Sequence, residues 1–400
     1  MRWESHNADT AREFLKDGRR YGGLAKVNVA FANEMARRGH TVTTVYADDR
    51  EGAPFFPLDE RVRAYNLHHF RGQTTLFPAH YKIRREILRA FSQKRGRAVN
   101  NEFTEKYLLP HVRTILTETQ PEVIIAFQPA SAKVFLSDLG IHTPVIVMAH
   151  GDTRDYFYNY PDAEVASLRH AAVCQALLPA FAEPLRAYVA GFPVRVEVIG
   201  NVVPQYAQQA DLAREKEFYK VVFVGRLVRN IKQPHLLIQA FIRIAAEFPN
   251  WKLELWGAED KRLYQKKLQR MVEKAGLSAR IHFCGTTQDV PHVLEGADLY
   301  VMPSAREGFG MALAEALSMG LPAVGFRSCI AVRALLRDGE SGLLAADGAE
   351  PLAEKMAVLM RDRDLRVRMG SAARESMRVY APEIIWGRWE TLMEDVIASR

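Results

Sequence analysis

Residues 307–325 read EGFGMALAEALSMGLPAVG, a stretch of mostly apolar and small residues that carries two carboxylates, Glu307 and Glu315. Residues 312–319 predict a short helix that ends at Gly320, with a proline just beyond the stop. Glu315 then lies inside the helix and Glu307 in the loop before it. Because apolar residues surround Glu315 along the helix, we predict a buried helix in which a carboxylate needs a hydrogen-bonding partner.

Short β-branched runs alternate with longer helical patterns throughout the chain, which predicts parallel strands covered by helices on both faces. The predicted strands are residues 42–47, 122–127, 144–149, 220–225, 252–257, 298–303 and 322–326. We therefore predict an α/β protein of two doubly wound domains, in which ligands bind beyond the carboxyl ends of the strands. The predicted boundaries are 1–203 for the N-terminal domain, 204–218 for a polar linker, 219–380 for the C-terminal domain and 381–400 for a final helix.

The composition is that of a folded globular protein. The 400-residue chain is 48% hydrophobic, and its length favours two hydrophobic cores rather than one. No apolar run approaches the roughly 20 residues that span a bilayer, and the N-terminal residues are too polar for a signal peptide, so we expect a cytoplasmic protein. Cys174, Cys284 and Cys329 lack metal-ligand spacing and fit a reducing compartment.

Polar residues follow three of the predicted strands at the point where each strand ends. His150 follows one strand, and Arg226 and Lys232 follow a second. Glu307 follows a third strand. Each of these residues alone is more often structural or solvent-facing, but their common position at strand ends favours a binding site.

The residue types in these loops suit a diphosphate. Gly308 and Gly310 let the backbone approach a ligand closely, and the start of the next helix offers unpaired N–H groups to an anion. Arg226 and Lys232 add two cations that bind phosphate oxygens without an obligatory metal. The two carboxylates would then bind sugar or ribose hydroxyls on either side of the diphosphate.

The motif from Glu307 to Glu315 resembles the E-x7-E motif of the retaining glycosyltransferases of family 4, the glycogen-synthase-like group with the GT-B fold. Residues 22–45, 223–241 and 335–344 are similar to that family's Gly-rich loop, phosphate-binding strand and helix, and post-motif turn. The similarity covers nearly the whole chain. It implies two Rossmann-like domains facing a cleft, with a final helix that crosses back onto the N-terminal domain.

The resemblance also implies roles for the matching residues. Arg226 and Lys232 would bind the diphosphate of a nucleotide-sugar donor, and Glu315 would hold the ribose. Glu307 would contact the donor sugar, and His150 would lie at the reacting sugar. The other implied binding residues are Gly308, Phe309, Gly310, Met311 and Ala312 beside the donor, and Gly22 and Gly23 on the N-terminal side of the cleft. The reaction would retain the anomeric configuration and need no metal or other cofactor, since placed charges stabilise the leaving diphosphate.

The acceptor would be a hydroxyl group of a sugar or of a lipid-linked molecule. Fold-level analogy favours bacterial surface polysaccharide or lipopolysaccharide assembly, with transfer to a soluble acceptor, or a GT-B phosphorylase or epimerase, as alternatives. An NAD-dependent enzyme would need a GxGxxG turn after a strand, which the sequence lacks, and a non-enzymatic binding module would leave the co-located polar residues without a role. No nucleic-acid module is recognisable, so no nucleic-acid partner is expected.

The sequence departs from the family pattern in two places. Residues 1–21 contain no strand-like run, although the family has a strand immediately before the Gly-rich loop. Residues 362–364 read Asp-Arg-Asp, which formally matches the DxD metal motif of a different glycosyltransferase fold. Because they lie between two helical patterns, we predict a solvated helix boundary there.

Two helical segments outside the motif have a clear pattern. Residues 80–113 carry nine Lys and Arg against three acids. On a helical wheel the apolar residues Ile83, Ile87, Leu88, Ala90 and Phe91 lie opposite Lys82, Arg85 and Arg89. Either the apolar arc packs on the N-terminal domain, or residues 80–97 bind the anionic inner face of the cytoplasmic membrane. The cations for such binding would be Lys82, Arg84, Arg85, Arg89, Lys94, Arg95 and Arg97.

The C-terminal helix is predicted to pack through Ile384, Ile385, Trp389, Leu392, Met393 and Val396.

Overall fold

The computed structural model of the chain describes residues 2–3, 23–52, 54, 56–259 and 262–399. The chain divides into two compact units, the first formed by Met1–Ile199 with Arg388–Arg400 and the second by Gly200–Gly387. Each unit is built around one parallel sheet with helices packed against it. The α/β fold class predicted from the sequence is confirmed.

The strands of the first unit are β1 Arg2–Trp3, β2 Thr43–Tyr46, β3 Arg63–Asn66, β4 His69–Phe70, β5 Gln73–Thr74, β6 Ile124–Ala126, β7 Val145–Val147, β8 Val173–Ala176 and β9 Arg195–Val198. Among the described residues the main sheet has the order β3-β2-β1-β6-β7-β8-β9, and β4 and β5 form a separate antiparallel pair. Every residue of β6, β7 and β8 is buried. This burial is typical of central strands that helices cover on both faces.

The helices of the first unit are α1 Gly23–Arg37, α2 Ala79–Phe91, α3 Gln93–Phe103, α4 Leu109–Thr119, α5 Pro129–Lys133, α6 Arg154–Asn159, α7 Asp162–Ser167 and α8 Pro179–Tyr188. Thr104–Leu108 and Val134–Asp138 are π-helical turns that continue α3 and α5. The helices α2 and α3 are separated by Ser92 alone, whose side chain caps α3 by accepting from the Arg95 N–H at 3.5 Å.

The strands of the second unit are β10 Tyr219–Val224, β11 Trp251–Trp256, β12 Ile281–Gly285, β13 Leu299–Met302, β14 Ala323–Phe326 and β15 Gly342–Ala345. They form a parallel sheet in the order β12-β11-β10-β13-β14-β15. Its helices are α9 Pro234–Ile244, α10 Arg262–Lys274, α11 Val290–Glu295, α12 Met311–Ser318, α13 Ile330–Leu335, α14 Ala349–Arg361 and α15 Arg363–Ser376. The last helix, α16 Pro382–Ala398, begins in the second unit and belongs to the first from Arg388 onward. Phe223 of β10 and Phe241 of α9 lie in the hydrophobic core of the second unit, fully buried.

All seven strands predicted from the sequence are present, as β2, β6, β7, β10, β11, β13 and β14. The expectation that residues 1–21 hold no strand was wrong for Arg2 and Trp3. These two residues form β1, which pairs in parallel with β2 on one side and β6 on the other. Neither residue is β-branched and the strand is only two residues long, so the sequence gives no periodic signal there.

The C-terminal helix α16 runs into the first unit, which confirms the crossing helix predicted from the resemblance. Trp389 packs edge-on against the Phe31 ring with 5.1 Å between centroids, and Arg38 donates to the Glu390 carboxylate at 2.9 Å. Five of the six predicted packing residues are buried: Ile385, Trp389, Leu392, Met393 and Val396. The prediction was wrong for Ile384, which is exposed.

The helix α2 does not pack on the first unit through its apolar arc. Three large residues of that arc are exposed to solvent, and an arginine from the opposite side of the helix is buried. Ile83, Ile87 and Phe91 are 62%, 56% and 80% exposed, whereas Arg85 is completely buried. The Arg85 guanidinium lies over the Phe77 ring at 5.1 Å. The prediction that Arg85 contacts lipid is therefore wrong, because an aromatic ring and polar partners in the first unit hold this cation.

Residues 204–218 contain no helix or strand and pack within the second unit. The Ser318 hydroxyl donates to the Pro204 carbonyl at 2.5 Å, and Arg374 donates to the carbonyls of Tyr206 and Gln208.

Asp362 lies between α14 and α15 and accepts from the Leu365 N–H at 2.8 Å, so it caps a helix, in keeping with the predicted helix boundary.

None of the helices in the described residues is both long enough and apolar enough to cross a bilayer.

Candidate functional site

The candidate site lies in the second unit, where two neighbouring strands end. β10 and β13 are paired in the sheet, so the loops that follow them start side by side. The two loops are joined by a hydrogen bond, since the Ala305 N–H donates to the Ile231 carbonyl at 2.8 Å. This bond lies one residue before Lys232 and two residues before Glu307, and it brings their side chains together.

Lys232 and Glu307 form a largely buried ion pair. The Lys232 Nζ atom lies 2.6 Å from Oε1 and 2.8 Å from Oε2 of Glu307. The lysine side chain is 20% exposed and the glutamate side chain 9%. A carboxylate this buried destabilises the fold unless a donor compensates it, and here the ammonium group compensates it.

The backbone turns sharply into α12 directly after this pair. Gly310 has a φ of +86°, a left-handed conformation that a residue with a Cβ adopts only with strain. Gly310 is the N-cap of α12 and has no side chain to cap the helix. The first N–H groups of α12 are therefore not capped by Gly310, and such groups bind anions at helix starts.

A second glycine lets two strand exits touch. Gly257 follows β11 with a φ of +149°, and a Cβ there would lie 2.0 Å from the Gly225 carbonyl oxygen at the end of β10. The Gly225 N–H in turn donates to the Trp256 carbonyl at 2.8 Å. Only glycine at position 257 permits this approach, which holds the start of the Lys232 loop close to the neighbouring strand.

Helix α12 is buried on most of its surface but has one partly open side. Leu313, Ala314, Ala316, Leu317 and Ser318 are buried. Met311, Ala312 and Glu315 keep part of their surface exposed. Since these three residues lie at i, i+1 and i+4, they share one side of the helix. From the sequence a nearly enclosed Glu315 was expected, whereas in the structure its side of α12 is partly exposed.

Two tyrosines that the sequence analysis missed lie near the carboxylates. Burial raises the pKa of Tyr300 well above its usual value, and the charges of Glu307 and Glu315 raise it further. The Tyr300 hydroxyl donates to the Val224 carbonyl at 3.3 Å. Burial raises the pKa of Tyr206 as well, with a further contribution from Glu315. Tyr300 could have been noticed, because it is the one polar side chain between Leu299 and Met302 and a buried tyrosine needs a partner.

The remaining predicted residues of this unit are placed as follows. Arg226 is exposed at the end of β10, and Gly308 is half-buried. The Phe309 side chain is 3% exposed and packs edge-on against the Tyr380 ring, with 5.2 Å between centroids. Phe309 can therefore offer a ligand its backbone but not its ring.

His150 belongs to the first unit and follows β7. Its ring stacks on Phe127 with 5.6 Å between centroids and an interplanar angle of 9°. Burial lowers the His150 pKa to about 4, although a hydrogen bond to the Phe127 backbone opposes the shift, so the imidazole is neutral at pH 7. Its Nε2 atom is buried and has no hydrogen-bond partner in the described part of the chain.

Of the two predicted glycines, Gly23 begins α1 and Gly22 lies outside the described residues.

No group of three or more His, Cys, Asp or Glu side chains suited to a metal ion occurs in the described ranges. The polar side chains near the ends of β10 and β13 include a lysine, two glutamates and two tyrosines, together with the exposed Arg226 that follows β10. Such a set can bind phosphate oxygens through its cations and hydroxyl groups through its carboxylates.

Two family models match the chain. Residues 22–202 match the glycosyl transferase 4-like domain, and residues 205–376 match the glycosyl transferases group 1 domain. Together the two models cover both structural units, and the second contains the whole of the candidate site.

Curated relatives match over different lengths. An exopolysaccharide phosphotransferase of Streptomyces coelicolor is 29% identical over 208 residues, 52% of this chain and 21% of that protein. An uncharacterized glycosyltransferase of Haemophilus influenzae is 20% identical over 377 residues, 93% of this chain and 96% of that protein. The chain thus spans nearly all of the second relative but only about a fifth of the first.

Solved structures share the fold at low identity. HepE from Anabaena, in complex with UDP and glucose, has a TM-score of 0.65 at 16% identity, covering 94% of this chain and 96% of that one. The lipopolysaccharide outer core galactosyltransferase WaaB also has a TM-score of 0.65, at 15% identity, covering 98% of this chain and 99% of that one. With both family models matched and both parallel sheets in place, the chain belongs to the GT-B glycosyltransferases of the family 4 type.

Proposed function

We propose that this glycosyltransferase moves a sugar from a nucleotide-diphosphate sugar to a hydroxyl group of an acceptor, with retention of the anomeric configuration. The observation that carries the proposal is the Lys232–Glu307 pair beside the start of α12. It combines a cation, a carboxylate and a helix N-terminus within a few residues, and each has a partner in such a donor.

The donor diphosphate would bind beside the positively charged side chains and the start of α12. The Lys232 ammonium, the exposed Arg226 guanidinium and the N–H groups at the start of α12 all favour phosphate oxygens. The complex of HepE with UDP and glucose supports a nucleoside diphosphate as the ligand of a related fold. Glu315 lies on the partly exposed side of α12, and we assign it to the ribose hydroxyls.

Donor binding would replace contacts within the Lys232–Glu307 ion pair by contacts of each residue with the donor. The Lys232 Nζ atom contacts both oxygens of Glu307, so a phosphate that recruits the ammonium frees one or both carboxylate oxygens. The freed oxygens can then accept from hydroxyls of the donor sugar. As positive charge develops on the sugar, the Glu307 carboxylate stabilises it, while Lys232 and Arg226 stabilise the departing diphosphate.

Retention would follow if the incoming hydroxyl reaches the face that the diphosphate leaves, with the diphosphate itself taking up the hydroxyl proton. In that route the protein supplies charge and position rather than a nucleophile. We place His150 at the reacting sugar because its imidazole is neutral at pH 7 and its buried Nε2 atom has no hydrogen-bond partner among the described residues.

We propose that transfer needs no divalent metal, since the cations and the helix start already place positive charge at the diphosphate. The setting we favour is bacterial surface polysaccharide or lipopolysaccharide assembly at the inner face of the cytoplasmic membrane. WaaB and the exopolysaccharide relative support this setting, and the free cysteines Cys174, Cys284 and Cys329 suit a reducing compartment.

The test is hydrolysis of a panel of nucleotide sugars in buffer containing EDTA, with the product's anomeric configuration followed by NMR. We expect release of a nucleoside diphosphate from one donor and retained configuration in the sugar. Inverted product would overturn the retaining mechanism, and activity that requires added magnesium or manganese would overturn the metal-independent site. Release of sugar phosphate from a glycan and free phosphate would favour a phosphorylase instead.

A further inference from the structure

The segment from Pro204 to Ala210 crosses the carboxyl end of α12. The Ser318 hydroxyl donates to the Pro204 carbonyl at 2.5 Å, and the Ala210 N–H donates to the Met319 carbonyl at 2.9 Å. These two hydrogen bonds involve the first and the last residue of the segment. Both of its ends are therefore fixed against the helix that carries the second glutamate of the motif.

A second helix holds the backbone of Tyr206, which lies inside this segment. The Arg374 guanidinium of α15 donates to the Tyr206 carbonyl at 2.5 Å and to the Gln208 carbonyl at 3.0 Å. Hydrogen bonds from a charged donor are stronger than those between neutral groups. The Tyr206 side chain therefore starts from a backbone that α12 and α15 fix together.

The Tyr206 side chain is close enough to Glu315 to respond to its charge. Glu315 comes one turn before Ser318 on α12, so it faces the side of the helix that the segment crosses. Burial raises the Tyr206 pKa, and the Glu315 carboxylate raises it further. The phenol therefore keeps its proton at neutral pH, and the half-buried side chain keeps part of its surface open to a ligand. Such a hydroxyl group can donate one hydrogen bond and accept another.

The order of groups along α12 matches the order of groups in a nucleoside diphosphate. The proposed diphosphate site lies at the helix start, beside Met311. At a rise of about 1.5 Å per residue, Glu315 lies about 6 Å further along the axis, and Ser318 lies about 4.5 Å beyond Glu315. Ribose follows the diphosphate directly in such a ligand. A ribose that reaches Glu315 therefore has the Tyr206 segment as its next neighbour along the helix.

We propose that Tyr206 is a specificity-determining residue of the donor site, where ribose binds with its hydroxyl groups between the Glu315 carboxylate and the Tyr206 hydroxyl. A carboxylate only accepts hydrogen bonds, whereas the tyrosine hydroxyl also donates one, so the two groups together match a vicinal pair of hydroxyls. A deoxynucleotide lacks one member of that pair and binds more weakly. This inference rests on the proposed function, because it adds a residue to the site in which Glu315 binds ribose.

The experiment is isothermal titration with UDP, GDP or ADP, whichever binds the wild type most tightly, and with its 2′-deoxy and 3′-deoxy forms. We expect the wild type to prefer the ribose form over at least one deoxy form by about tenfold. Tyr206→Phe should reduce this preference to about threefold or less, by weakening binding of the ribose form and leaving that of the deoxy form unchanged. Tyr219→Phe is the matched control and should keep the preference, since Tyr219 is a half-buried tyrosine at the amino end of β10, away from the strand exits.

A double variant separates contact with the ligand from a structural role. If Tyr206 and Glu315 bind the same ribose, the preference lost in the variant that combines Tyr206→Phe with Glu315→Gln should be smaller than the product of the two single losses. The melting temperature of the unliganded protein should be equal in Tyr206→Phe and wild type, because the ring and its packing remain.

Two results would overturn the inference alone. One is a wild-type preference retained in Tyr206→Phe while Glu315→Gln loses it, and the other is equal binding of the ribose form and both deoxy forms by the wild type. If none of the three nucleoside diphosphates binds the wild type, the proposed function fails together with this inference.

Discussion

The site in the second unit and the helix pair α2–α3 in the first unit both bury charge, but they do so in different ways. At the site, Glu307 is buried against Lys232, and both side chains belong to loops that leave the ends of neighbouring strands. In the helix pair, Arg85 is buried over the Phe77 ring while three large apolar side chains of the same helix are exposed. The first arrangement follows from topology, because parallel strands direct their carboxyl ends to one edge. The second depends on which side of α2 the rest of the unit covers, and a helical wheel separates two faces without saying which one packs.

The largest effect we expect is from Glu307→Gln. If the carboxylate stabilises positive charge on the sugar, turnover should fall by about 100-fold or more while donor affinity changes much less. Steady-state kinetics together with calorimetric donor binding measure both. Glu254→Gln is the control, since Glu254 also pairs with a lysine, Lys220, at 2.9 Å in the same unit. Equal losses of turnover and donor affinity would make Glu307 a binding group only.

The second prediction concerns the helix pair and its stability. Arg85→Ala removes a buried guanidinium whose partners include the Asn100 side chain, and the free energy of unfolding should fall by about 2–3 kcal/mol. Ile87→Ser on the exposed side of the same helix should change it by less than about 0.5 kcal/mol. Urea unfolding measures both variants. A larger loss for Ile87→Ser than for Arg85→Ala would mean that the apolar side of α2 packs in solution.

The third prediction uses a carboxylate buried beside the helix pair. Glu164 of α7 is 1% exposed and accepts from the Asn101 side chain of α3 at 2.8 Å. Burial raises the Glu164 pKa to about 7, so the folded state binds a proton more tightly than the unfolded state. Stability should therefore fall as the pH rises from about 4.5 to about 7, by about 2–3 kcal/mol from this group. Glu164→Gln keeps an acceptor for Asn101 and should be more stable than the wild type at pH 8 by thermal unfolding, but not at pH 4. The same pH dependence in both proteins would contradict the assignment.

The fourth prediction separates the two glutamates of the motif. Glu315→Gln should weaken binding of a bare nucleoside diphosphate by about tenfold, since its proposed partner is the ribose and no sugar is needed. Glu307→Gln should leave that affinity nearly unchanged. Isothermal titration with the nucleoside diphosphate compares the two, and Glu295→Gln on the exposed side of α11 serves as control. If both motif variants bind the diphosphate as tightly as the wild type, the ribose assignment is wrong.

Most of the fold could be predicted because its central strands are apolar along their length. The strands missed by the sequence analysis include β3, β9, β12 and β15, the edges of the two sheets. Edge strands have one neighbour and tolerate polar residues, so their pattern is weaker. The central strand β8 was missed for a different reason. The buried Gln175 interrupts the apolar run of β8. Its side-chain oxygen accepts from the Ala149 N–H, and its side-chain nitrogen donates to the Ile199 carbonyl.

The site could be predicted in part for a related reason. The positions of Lys232, Glu307 and Gly310 follow from the strand ends and the glycine, which are local features of the sequence. Tyr206 comes from a segment without secondary structure, and its place near Glu315 depends on tertiary contacts such as that of Ser318 with Pro204. The contact of Lys232 with both oxygens of Glu307 was also not foreseen, since the sequence analysis assigned each residue to a ligand and not to the other.

The most direct test of the central claim is the binding of nucleoside diphosphates in the presence of EDTA. Titrations of UDP, GDP and ADP into the wild-type protein, Lys232→Ala and the control Lys220→Ala would be followed by calorimetry. Our account predicts that at least one of them binds without metal, that Lys232→Ala raises its dissociation constant by about tenfold, and that Lys220→Ala leaves it unchanged. Tight binding that is equal in all three proteins, or binding that appears only with added divalent metal, would contradict a diphosphate site built on Lys232 and the start of α12.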